Sequence, residues 1–201
     1  MAGPQHRTLI PLPQALRSDR ITLRPYTLAD AAALYDAMHE TRDNARPWLG
    51  SWDQYRAVDD VRDLIVRAQA RWLLREELTL GIFLADGGRF VGNVVMCRID
   101  WELGRLEIGY WVRATEEGRG YVGEAVRLVI RCAFESLGAQ RVEIRCDEHN
   151  ARSRLVAKRQ GFVREALLRN DRLNQTGEMR NTLVFALIRQ DYDHIIETWP
   201  D

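Results

Sequence analysis

The sequence predicts a single α+β domain: a mixed, mostly antiparallel central sheet of about seven strands flanked by about four helices. Segments with a two-residue apolar period and segments with a helical period follow one another irregularly, not as repeated strand–helix pairs. Asp86-Gly87-Gly88 separates two apolar runs as a hairpin signal. One glycine-rich strand–loop–helix crossover then follows the strands so formed.

Taken in order, residues 1–18 carry three prolines and no sustained period, and are expected to be an N-terminal arm. Ile21 to Pro25 alternates as a short strand. Asp30 to His39 is helical, with Ala31, Leu34, Tyr35 and Met38 on one stripe. Thr41 to Tyr55 breaks the pattern and holds Pro47, Gly50, Trp48 and Trp52. Val58 to Glu77 is helical again. Leu78–Ala85, Arg89–Cys97 and Leu103–Val112 form an expected three-stranded meander. A helix from about Tyr121 to Leu137 presents Val122, Ala125, Val126, Val129 and Ile130 on one wide face, and Gly138 stops it. Arg141–Cys146 is a strand, Asn150–Gln160 a short helix, and Phe162–Leu168 and Thr182–Ile188 are strands around an Asn174–Gly177 turn. The expected domain is 19–192, with 193–201 as a C-terminal tail.

Lys+Arg and Asp+Glu balance at 29 each, so no overall field favours nucleic acid or an anionic membrane. Lys158 is the only lysine, so a single arginine is weak evidence for function. Cys97, Cys132 and Cys146 show neither metal-ligand spacing nor a disulfide framework, which predicts reduced thiols, no metal site and a cytoplasmic setting. The N-terminus lacks the long apolar run of a signal peptide or anchor.

The chain is organised around Leu106 to Val126. Strand, glycine turn and helix start leave backbone amides and a helix dipole pointing at one spot, an anion site. Gly118-Arg-Gly120-Tyr-Val-Gly123 has the spacing of a dinucleotide fingerprint, and Glu143 lies where a ribose-binding acid would. That reading fails on context: Arg113 to Glu117 separate strand from glycine, and no further parallel βαβ units follow. A phosphate-binding P-loop fails too, since no Gly-Lys-Ser/Thr is present.

Glu117-Gly-Arg-Gly120-Tyr-Val122, continuing into Glu124-Ala125, resembles the cofactor loop of the GNAT superfamily of acyl-CoA-dependent N-acyltransferases. Asn150, Ser153, Gly161 and Phe162 match the superfamily's downstream Asn-x-x-Ser and Gly-Phe. Leu23-Arg24-Pro25, Ile108-Gly109-Tyr110-Trp111 and the stretch from Asn44 to Trp52 resemble its Rim-type branch, which acetylates ribosomal-protein N-termini and small amines. The likeness spans roughly residues 20–190. It implies a GNAT-like domain that binds acetyl-CoA through Tyr110, Trp111 and Val112, the loop residues Glu117, Gly118, Arg119, Gly120, Tyr121, Val122 and Gly123, and Asn150 and Ser153. Glu117 and Val122 depart from the usual loop residues, and an acid beside a pyrophosphate has no local explanation.

The implied chemistry is direct attack by a primary amine, which needs a neutral amine, a polarised thioester and a proton for the leaving thiolate. The superfamily's common tyrosine position holds Ala157; the Rim-type branch offers a serine instead, and the resemblance makes Ser153, which occupies that place, the candidate proton donor. Its alternative role is in capping the helix with Asn150. Glu107 is the candidate general base, or an ordinary strand carboxylate; Asp147, Glu148 and His149 are further options. A carboxylate used by some branch members falls at Arg172 here, with Asp171 beside it. Asn44, Trp48 and Trp52 are candidate acceptor-binding residues, with the tryptophans alternatively serving as buried staples. The expected acceptor is a protein N-terminus. The rivals are a small amine, such as an antibiotic or aminoacyl conjugate, and a non-catalytic acyl-CoA sensor. Homodimers are common in the branch, and no stretch here specifies one.

Overall fold

The computed structural model describes residues 6–49 and 52–199. Gly50, one of the expected chain breakers, and the ends of the arm and tail lie outside the described residues. Within them the chain forms β1 (Leu16–Arg17), β2 (Ile21–Arg24), α1 (Ala31–Ala45), α2 (Val58–Leu74), β3 (Leu78–Leu84), β4 (Phe90–Asp100) and β5 (Arg105–Val112). There follow α3 (Tyr121–Arg131), β6 (Arg141–Asp147), α4 (Ala151–Arg159), β7 (Val163–Leu173), β8 (Met179–Ile188) and α5 (Arg189–Ile195). The strands make one 8-stranded sheet in the order β1-β2-β3-β4-β5-β6-β8-β7. Only β5 and β6 run parallel; the other neighbours are antiparallel.

The α+β class and the meander follow the sequence pattern. The extra elements are β1 and α5, both too short to show a period. α1 continues past His39 to Ala45 because Thr41 and Ala45 extend its buried stripe; Thr41 is polar, which hid the continuation. The expected 121–137 helix is α-helical only to Arg131. It ends in a wider π turn over Cys132–Ser136, where the Leu137 amide reaches back to the Cys132 carbonyl at 3.0 Å. The boundary expected at 192 falls inside α5, and Leu12, Leu16, Ile195 and Trp199 all pack on the main core.

Side chains alternate across the sheet. Val94, Met96, Ile108, Val142 and Ile144 meet Val126, Val129, Ile130 and Phe134 of the α3 segment on one face. Phe83 and Phe90 meet Leu34, Met38, Val61 and Ile65 of α1 and α2 on the other. The pairing of β5 with β6 stops early, covering only Arg105↔Arg141, Leu106↔Val142 and Glu107↔Glu143. Past that point β5 stays bonded to β4 as far as Val112, and β6 to β8 as far as Asp147. The two strands therefore separate at mid-sheet.

Gly92 shows how tightly the β5 side of this opening is held. A Cβ there would lie 2.5 Å from the Trp111 carbonyl oxygen and 3.1 Å from Val112 Cα. Gly92→Ala is expected to destabilise the fold by about 1–3 kcal/mol, as overpacking does, measured as a lower urea midpoint at unchanged slope.

Candidate active site

Where β5 and β6 part, a cleft of about 780 Å³ opens. Glu107 to Val112 line it from β5 and Ile144 to Asp147 from β6. Gly118, Gly120, Tyr121, Val122 and Gly123 line it from the loop, Asn150 and Ser153 from the start of α4, and Asn44 and Trp48 from the end of α1 and the segment beyond. Candidates scattered over the sequence thus converge on one opening.

The glycine loop owes its shape to two left-handed residues, Gly118 at φ 77° and Gly120 at φ 85°. Because α3 begins at Tyr121, the amides of Tyr121, Val122 and Gly123 have no helical acceptor; the Glu124 amide bonds back to Gly120 at 3.2 Å. Buried carboxylates brace the loop from behind. Glu124 accepts hydrogen bonds from Ser18 Oγ and from Arg20 Nε and Nη2, the last two at 2.8 and 2.5 Å. Glu116, only 2% exposed, pairs with Arg89 at 2.5 Å and Arg119 at 3.3 Å. The Arg119 side chain is therefore turned toward Glu116 and does not line the cleft; what it can offer an anion is its backbone amide. Ser18 and Arg20 escaped sequence reasoning because they lie 106 and 104 residues from Glu124.

Glu117, the unexplained acid, has partners on two other elements. Its Oε1 accepts from Arg152 Nη1 of α4 at 2.7 Å and from Asn44 Nδ2 of α1 at 3.4 Å. Arg152 pairs with it, so the carboxylate ties loop to helix without leaving a bare negative charge at the candidate anion site.

On the α3–α4 face, the Asn150 side chain accepts from the Ser153 amide at 3.0 Å and caps α4. Ser153 Oγ lies 2.9 Å from the Tyr110 hydroxyl. Burial pushes the Tyr110 phenol well above its usual range, with the Ser153 hydrogen bond acting against it, so the pair keeps its protons at neutral pH. On the opposite face, Glu107 is the last β5 residue still paired with β6. Its Oε2 is buried without a hydrogen bond, 3.4 Å from Arg98 and 3.5 Å from Arg145. Burial raises its pKa, the two arginines oppose the rise, and Glu143 adds to it.

The two tryptophans separate. Trp48 lines the cleft. Trp52 packs edge-on against Trp111, with ring centroids 4.9 Å apart, and lines a second cavity of about 380 Å³ with Tyr26 and Asn93. Among the described residues no group of acids, histidines and cysteines is arranged to hold a metal ion, and no helix is long and apolar enough to cross a membrane.

Comparison with known proteins adds to this geometry. A profile of the acetyltransferase (GNAT) domain matches residues 20–163. Probable N-acetyltransferase YjcK of Bacillus subtilis (strain 168) is 31% identical over 179 residues, 88% of this chain and 98% of its own length. The ribosomal-protein-serine acetyltransferase of Escherichia coli (strain K12) is 32% identical over 129 residues, 62% of this chain and 70% of its own. The fold is similar to that of Mycobacterium smegmatis RimJ in complex with CoA-disulfide, with TM-score 0.81 and 23% identity over 98% of this chain and 97% of that one.

At the cleft's far wall, the buried Asp147 carboxylate is held down at about 2 against an ordinary 3.8. Burial pushes it up, but hydrogen bonds from Arg180 and His149 outweigh that. A depressed acid contributes stability that is complete above its unfolded pKa and lost as pH falls through the folded one. Asp147→Asn should therefore lower stability at neutral pH and flatten its decline between about pH 4 and pH 2, read by urea unfolding across that range.

Proposed function

The chain belongs to the GNAT acetyltransferase family, and we propose that it acetylates a primary amine by direct attack, with a protein N-terminal α-amine as acceptor. The protein is an acetyl-CoA-dependent N-acetyltransferase. The observation that carries the finer reading is the gap between β5 and β6, which puts a glycine cradle on one side of the sheet and a buried carboxylate on the other.

The cradle fits a pyrophosphate: the first-turn amides of α3 lack helical partners, and Gly118 has open space where a Cβ would sit. When bound, acetyl-CoA supplies the acetyl group as an activated thioester. Glu107, which lines the cleft and whose carboxyl is raised by burial, takes the proton of the incoming ammonium. Ser153, hydrogen-bonded to Tyr110, holds a proton on the opposite wall, where a departing sulfur needs one. Trp48 gives the acceptor an aromatic wall. No cysteine suits an acyl-enzyme: burial pushes Cys97 up to about 12 and Cys132 to about 11, and Cys146 is raised by burial as well. The ribosomal-protein-serine acetyltransferase among the relatives supports a protein acceptor over a small amine.

A thiol-release assay over N-terminal peptides and small amines tests the acceptor. Transfer to peptides is expected, and transfer confined to small amines would overturn it. Ser153→Ala should lower kcat by about tenfold or more while leaving the KM for acetyl-CoA within about threefold. Glu107→Gln should remove the acid limb of kcat/KM, which lies above the ordinary 4.5 because burial raises this carboxyl; an unchanged limb would exclude Glu107 as the base.

A further inference from the structure

The wall of the cleft opposite the glycine loop carries a cation whose hydrogen-bonding capacity is not used. Arg172 of β7 lines the cleft, and its Nη2 lies 3.3 Å from Asp147 Oδ2. Asp147 is already satisfied: Arg180 donates to both its oxygens at 3.1 and 3.2 Å, and the His149 amide donates at 2.8 Å. Arg172 makes no hydrogen bond among the described residues, and its side chain is 37% exposed. Arg145, by contrast, is committed to Glu143 at 2.8 Å and to Glu107 at 3.5 Å.

A bulge puts Arg172 there. Leu168 pairs with Thr182, so an unbroken register would set Asn170 opposite Arg180; the shift between Leu168 and Arg172 sets Arg172 there instead. Asn170 takes a left-handed backbone, φ 51°, with its amide donating to Asn181 Oδ1 at 2.9 Å. Glu107, Arg145 and Asp147 share one face of the sheet with Arg172, away from Ser153 and α4.

We infer that Arg172 selects the acceptor by binding a carboxylate close to the amine, so that the preferred substrate is an N-terminus followed by acidic side chains. This rests on the N-terminal reading above. The distance fits: Asp147 lies four residues along β6 from Glu143, the register partner of Glu107, or roughly 13 Å, which an extended peptide covers within its first three or four residues. A planar guanidinium with free donors matches a carboxylate bidentately.

The test uses peptides beginning Ser-Asp-Asp, Ser-Ala-Ala and Ser-Lys-Lys, otherwise identical, with the full chain and acetyl-CoA. The acidic peptide should exceed the basic one by about tenfold or more in kcat/KM, and added salt should shrink the ratio. Arg172→Gln should abolish the preference with the KM for acetyl-CoA unchanged. Arg172→Glu should reverse it in favour of Ser-Lys-Lys, which a folding defect cannot mimic. Equal turnover of the three peptides, a preference surviving Arg172→Gln, or a loss expressed in the KM for acetyl-CoA would each overturn the inference while leaving the N-terminal reading standing. Transfer to none of the peptides would sink that reading and the inference with it.

Discussion

The candidate site of this fold depends on a parallel strand pair that stops after three residues. β5 and β6 are each held on their outer sides, β5 by β4 and β6 by β8, so they can diverge without unravelling the sheet. Past Glu107 and Glu143, the backbone groups facing the gap have no strand partner. Such groups need water or a bound ligand to satisfy them. A defect in sheet pairing thus becomes an opening lined by donors and acceptors that connects the two faces.

The period-two alternation of the strands then divides the labour. Tyr110 points to the α3–α4 side and meets Ser153, while Glu107 and Trp111 point to the other. The Glu107 carboxylate and the Ser153 hydroxyl, the proposed proton acceptor and donor, are thereby held on opposite walls. Arginine does most of the holding. Glu116, Glu124 and Asp147 are buried carboxylates, each paired with one or more arginines from distant segments. A buried charge left without such a partner would cost several kcal/mol, so these pairs fix the loop and the cleft end in one conformation more than they add net stability.

Legibility in the sequence followed the range of the interaction. The hairpin at Asp86-Gly87-Gly88, the α3 stripe and the glycine loop were readable because each depends on neighbours a few residues apart. β1 and α5 are not, having only two and seven residues, too few repeats for a period to stand out. The outer ends of β7 and β8 leave no local signal, because β7 is an edge strand, mostly exposed, where no buried face enforces alternation. Glu117 has no local explanation because its partners, Asn44 and Arg152, are 73 and 35 residues away.

The sequence by itself determined the class of fold, the glycine turn at the start of α3 and the set of candidate side chains, since backbone propensity, glycine conformation and residue chemistry are local properties. Tertiary structure alone decided which of those side chains share a wall. It turned Arg119 toward Glu116, sent Trp52 to a separate cavity, gave Glu117 its cation and left Arg172 facing the cleft. Those outcomes depend on strand register and on partners far along the chain, quantities that no local spacing encodes.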